Sequence, residues 1–161
     1  MDLATGQNLI KQKKFPQALK LFDYLVKLDP NNLNLNFYLG RIYSELHDFK
    51  NGIKFYKKYL EFKKNSVACH LNLAILFLNI GDKKNSEKYF KKLLKINNDY
   101  VYAYYGLFSL SEKLLKDKDF NHLNKILKNR KTNLKDKSII NFLFSKKERE
   151  NKNIERELGF L

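Results

Sequence analysis

Apolar and polar positions along this chain copy themselves at intervals of 34 residues. Gly6, Gly40 and Ala74 are small where Leu9, Tyr43 and Phe77, three residues on, are large. Ala18, Gly52 and Ser86 are again small, Phe22, Tyr56 and Phe90 are aromatic, and Leu25, Tyr59, Leu93 and Leu127 are bulky. Asn31, Asn65, Asp99 and Asn133 fall at one point of the same pattern. Self-similarity at a fixed period marks an array of copied units. Two antiparallel helices joined by a tight turn approach closely only where both present small side chains, and the neighbouring aromatic fills the space beside that contact. Gly40 with Gly52 and Ala74 with Ser86 are such pairs.

Boundary residues follow the same rhythm. Asn31, Asn65 and Asp99 are expected to accept hydrogen bonds from the free amides of the next unit's first helix, and Asp48 and Asp82 from those of the second helix within a unit. Pro30 stops the helix that ends near Leu28, and Pro16 sits where a helix start tolerates a missing amide hydrogen.

A period of 34 with this small and large alternation resembles the tetratricopeptide repeat family. The resemblance spans roughly residues 2 to 130 and is closest in the units read as 2–32, 33–66 and 67–100. It implies an all-α fold, a right-handed α-solenoid of helix-turn-helix repeats, with an array over residues 1–134. In the fourth unit, 101–134, Leu107 and Leu127 keep their columns, but Phe108 and Phe120 stand where the pattern wants small residues and Ser111 where it wants a large one. A three-residue shift of the turn, pairing Asp119-Phe120 with Asp48-Phe49, is the expected repair. Residues 135–161 read as two more helical segments, one striped by Ile139, Ile140, Leu143 and Phe144, the next by Ile154, Leu158 and Leu161. They form either a degenerate fifth unit or a terminal cap. The last stripe needs a cover: the preceding helix, a second copy in a homodimer, or a downstream domain.

Composition adds bounds. An apolar fraction of 43% excludes wholesale disorder, and few Pro and Gly suit a chain that is nearly all helix. No apolar run is long enough to cross a bilayer, the first residues lack a secretory stretch, and one cysteine, Cys69, forms no internal disulfide, so a cytoplasmic setting is the default. The net charge of +15 is carried almost wholly by lysine, with arginine limited to Arg41, Arg130, Arg149 and Arg156. Lys57, Lys58, Lys91, Lys92 and Lys95 fall on second helices, the convex side in this family. They read as a solvated face rather than a nucleic-acid or membrane footprint.

In the family the first helices line a concave groove. By position that groove takes Phe37, Tyr38, Arg41, Ser44, Leu71, Asn72, Ile75, Leu78, Tyr102, Tyr105 and Ser109. Its core set is Phe37, Tyr38, Arg41, Asn72, Ile75, Tyr102, Tyr105 and Ser109, an aromatic and mostly uncharged surface in which Arg41 can anchor a carboxylate. The resemblance stops short of the subclass that clamps chaperone C-termini: Leu3, Gln7, Tyr38, Ala68 and Asn72 occupy the clamp positions. His47, His70 and His122 have no metal-ligand spacing, Cys69 has no histidine partner and reads as a packing residue, and Asp48, Asp82 and Asp119 recur as caps. No phosphate-cradling loop occurs. The expectation is therefore a protein-interaction scaffold for a peptide or helical segment, not an enzyme, without cofactor or metal. Two alternatives stay open: the N-terminal repeat module of a larger transferase, such as a sulfotransferase or glycosyltransferase, and a basic polyanion binder.

Overall fold

Helix starts keep the period. In the computed structural model, which describes residues 2–150, the second helices begin at residues 15, 49, 83 and 117 and the first helices at 33, 67 and 101, in each case 34 apart. The helices are α1 (Leu3–Lys11), α2 (Phe15–Leu28), α3 (Leu33–Glu45), α4 (Phe49–Phe62), α5 (Val67–Asn79), α6 (Lys83–Ile96), α7 (Val101–Leu110), α8 (Asp117–Lys128) and α9 (Leu134–Glu150). No strand occurs among the described residues. The second C-terminal stripe, Ile154, Leu158 and Leu161, lies outside them. The chain divides into two compact units, one running to Tyr89 and the other beginning at Phe90.

In the first unit successive helices α1 to α5 pack in order. Its core gathers Ile10, Ala18, Phe22, Leu35, Leu39 and Ile42, all buried. The close approaches expected from the small columns are present. A methyl group added at Gly40 would lie 2.8 Å from the Tyr56 ring, and one at Gly6 2.5 Å from that of Phe22. Ser86, fully buried, turns its close contact into a hydrogen bond, its Oγ donating to the Ala74 carbonyl at 2.8 Å. A further repeated pair stacks face to face: Tyr43 on Phe55 with ring centres 5.4 Å apart, and Phe77 on Tyr89 at 5.5 Å. Each turn within these pairs places its middle residue in the left-handed region, Lys13 at φ 58°, His47 at φ 60° and Gly81 at φ 78°.

The caps divide. Asp48 and Asp82 cap α4 and α6 as expected, each carboxylate accepting from the amide three residues on and from that residue's Asn side chain. Asn31, Asn65 and Asp99 do not cap. The helices start one residue later, so that Asn32, Ser66 and Tyr100 take the cap position, and of these Ser66 accepts an amide hydrogen bond, from Cys69. Asn133 does cap α9, accepting from Asp136.

In the second unit the expected three-residue shift is not made. α8 starts on the period at Asp117, and Asp119 lies inside it, accepting from the Lys116 amide. The strain of Phe108 and Phe120 in small columns is relieved elsewhere: α7 stops at Leu110, a 3-10 turn covers Glu112–Leu114, and Leu115 is buried where Ser111 is exposed. Both phenylalanines are then buried. α9 packs on α7 and α8, with Ile140 and Leu143 fully enclosed and Phe144 edge-on to Phe120 at 5.5 Å.

Candidate functional site

Because first helices recur every 34 residues, positions on α3 and α5 repeat side by side, and in the first unit they enclose a cleft of about 480 Å³. Phe37, Arg41 and Ser44 line it from α3, Asn72, Ile75 and Asn79 from α5, and Tyr56 closes its base. Phe37 is held rigid by three rings, Tyr38, Tyr56 and Tyr59, at 5.9, 5.6 and 5.3 Å. Asn72 Nδ2 donates to the Tyr56 hydroxyl at 2.8 Å, which holds the amide in place. Burial pushes the Tyr56 phenol well above its ordinary range, so it stays neutral. Arg41 is exposed and also borders a second, smaller cleft of about 220 Å³ with Gln7, Ile10, Lys11 and Tyr38. There Gln7 Nε2 donates to the Tyr38 hydroxyl at 2.5 Å. The arginine thus stands between two recesses, both of mixed polar and apolar lining.

Of the residues read from the sequence, Phe37, Tyr38, Arg41, Asn72 and Ile75 come together here. Ile75 is 40% exposed, an apolar contact left open to solvent. Tyr102, Tyr105 and Ser109 lie on α7 in the second unit. Tyr105 is 42% exposed, its ring 6.0 Å from that of Phe142 on α9, and Ser109 is turned back on its own helix, donating to the Tyr105 carbonyl. Lys135 places its ammonium 5.1 Å from the centre of the Tyr102 ring. Sequence reasoning missed Tyr56, Glu45, Asn79 and Phe142. Tyr56 carries a signal in hindsight: its column is Phe in the neighbouring units, and a lone hydroxyl in a packing column points to a polar partner.

One column faces that aromatic series and solves the same junction in three ways. Tyr38 tilts its ring over Phe22 at 5.3 Å, Asn72 bonds the Tyr56 hydroxyl, and Gly106 leaves room for Phe90, whose ring a Cβ there would overlap.

Cys69 is fully buried and donates to the Tyr56 carbonyl at 3.2 Å; burial raises its thiol to about 12. In the second unit Asp99, freed from capping, meets His122 Nε2 at 2.9 Å, and Tyr104 beside them is pushed up to about 12 by burial, with Asp119 and Asp99 adding to it.

Among curated protein sequences none matches the chain. Solved structures do. MamA is 19% identical with a TM-score of 0.73, the match covering 99% of this chain and 91% of that one. TTC0263, a thermophilic repeat protein of Thermus thermophilus, is 15% identical with a TM-score of 0.63, covering 98% and 85%. PcrH, solved in complex with the chaperone-binding region of PopD, is 18% identical with a TM-score of 0.56, covering 74% and 88%. These likenesses show the fold, an α-solenoid of helix-turn-helix repeats. A family model for the tetratricopeptide repeat matches residues 34–66 and 67–100. Residues 34–100 are matched as two tetratricopeptide repeats, and the helix starts spaced at 34 and the paired small and aromatic columns carry the same pattern along the described residues.

Proposed function

We propose that the chain is a protein-interaction scaffold that holds an extended or helical segment of another polypeptide across α3 and α5, without catalysis of its own. The observation that carries this is the α3–α5 cleft: a rigid aromatic wall at Phe37, an exposed apolar contact at Ile75, and two polar anchors, Arg41 and Asn72, converging on one opening. Stiff aromatics give contact area at little entropic cost, and a guanidinium forks onto a carboxylate. Tyr102, Tyr105 and Ser109 are first-helix positions of the second unit, on α7. PcrH offers a precedent, a protein of this fold solved with a region of its partner. The buried, protonated Cys69 thiol is unsuited to act as a nucleophile, in keeping with a binding role.

The test is a selection from a displayed random-peptide library against the folded chain, followed by titration of the enriched peptides. Arg41→Glu is expected to weaken them at least tenfold and Ile75→Ser to weaken them severalfold, with helical content unchanged by circular dichroism. Peptides that bind both variants as they bind the parent would sink the groove reading.

A further inference from the structure

The charge of this chain is segregated by helix type. In the first unit α5 carries no Asp, Glu, Lys or Arg at all, and α3 has one of each sign, Arg41 and Glu45. The second helices hold the lysines. Lys50 and Lys84 sit at the second position of α4 and α6, Lys20, Lys54 and Lys88 at the sixth position of α2, α4 and α6, and Lys57 and Lys58 at the ninth and tenth of α4. At about 100° per residue, positions two, six, nine and ten fall within one arc of about 100°. All seven side chains are exposed. Two carboxylates share the arc, Asp23 and Glu61, too few to balance it.

Apolar side chains stand beside this field rather than inside the fold. Tyr24 is 51% exposed, and Leu28 and Phe62, which occupy the same column at the ends of α2 and α4, are 62% and 55% exposed. Lysine heads next to protruding Tyr, Leu and Phe are what an anionic bilayer surface rewards: ammonium groups lie among the phosphates while the apolar groups enter the acyl boundary. A nucleic acid would be served differently. It favours the arginine fork and open aromatic platforms for bases, whereas the rings under these lysines, Phe77 and Phe55, are already covered by Lys57 and Lys58 at 5.4 and 5.9 Å.

We propose that the outer face of α2, α4 and the first half of α6 docks on a bilayer surface rich in anionic phospholipid. This face is separate from the α3–α5 cleft, so a membrane-bound chain keeps its groove open. No helix among the described residues is long and apolar enough to cross the membrane, and the attachment is peripheral.

Co-sedimentation of the full chain with phosphatidylcholine vesicles, with and without phosphatidylglycerol, tests it. Binding is expected to the anionic vesicles alone and to fall with salt. Each surface lysine contributes a factor of about five, so the variant carrying Lys50→Gln, Lys54→Gln, Lys84→Gln and Lys88→Gln is expected to bind several hundredfold more weakly, on the order of five to the fourth power. A control with Lys113, Lys125, Lys128 and Lys131 changed to Gln has the same net charge and is expected to bind within a fewfold of the parent. Leu28→Ser with Phe62→Ser is expected to weaken vesicle binding while far-UV circular dichroism stays unchanged. Equal loss in the control would reduce the effect to net charge and overturn the proposal. So would parental binding by the folded quadruple or double variant, no binding of the parent at low salt, or tighter binding to poly(U) RNA than to the anionic vesicles.

Discussion

Replacing Gly40 by alanine sets two effects of opposite sign against each other. Alanine is the better helix former by about 0.8–1 kcal/mol, which would stabilise α3. The new methyl, however, would sit 2.8, 2.8 and 2.9 Å from three atoms of the Tyr56 ring, so the ring must retreat by about 0.7 Å to reach ordinary contact. Tyr56 has nowhere easy to go: it is 1% exposed, lies edge-on to Phe37 and has its hydroxyl bonded to Asn72. Overpacking of this kind costs about 1–3 kcal/mol. With Tyr56 held on both sides the cost falls in the upper part of that range, about 2–3 kcal/mol, so the steric effect wins by about 1–2 kcal/mol, which in a chain of this size lowers Tm by about 2–8 °C. Thermal melting followed at 222 nm reads the shift. Tyr56→Leu in the same chain makes room for the methyl, so the double variant is expected to be more stable than the sum of the singles by about 1 kcal/mol or more. A Gly40→Ala variant melting at or above the parent, or a strictly additive double variant, would show that α3 and α4 do not meet at this point.

Two further expectations concern titratable groups. Hydrogen bonds from Asn51, first its side chain and then its backbone amide, hold the Asp48 carboxyl below the usual carboxylate range. Its contribution to stability is therefore complete above the unfolded value of about 4 and is lost as pH falls through the folded value. Asp48→Asn is expected to lower Tm at neutral pH, with the gap to the parent closing in acid; a gap that widens below about pH 4 would refute the assignment of the cap. Cys69, buried and raised to about 12, is expected to ignore a water-soluble disulfide reagent at pH 8 in the native chain and to react at once in denaturant. Rapid native labelling would contradict its placement.

The period was legible because packing between copied helices demands copied side chains. Gly40, Gly52, Tyr56, Ser86 and the caps Asp48 and Asp82 all stand where their columns predict. What the columns could not resolve is where several candidates of equal chemistry follow one another. Asn31-Asn32, Asn65-Ser66 and Asn98-Asp99 each offer two cap residues in succession, and the helices begin after the second of the pair in the first two cases and after Tyr100 in the third. The fourth unit defeats pattern reading for another reason. Two phenylalanines in slim columns can be accommodated by sliding the turn or by shortening a helix, and the choice rests on three-dimensional volume: α7 ends early and Leu115 fills the gap. Of the candidate surface, Arg41, Asn72 and Ile75 follow from helix position alone. The role of Tyr56 in it does not, since a hydroxyl at the far end of a core ring is invisible to an apolar pattern.

The junction column of Tyr38, Asn72 and Gly106 bears on how such a chain can be lengthened. A gene that duplicates the block 67–100 would set a second Asn72 opposite the first Phe90, an amide facing a ring with no oxygen to receive it, while the second Phe90 would keep the glycine that accommodates it. Each seam is keyed to its own neighbour, so the order of the modules is written into their edges. Growth by simple copying would demand a compensating exchange at the new seam in the same event.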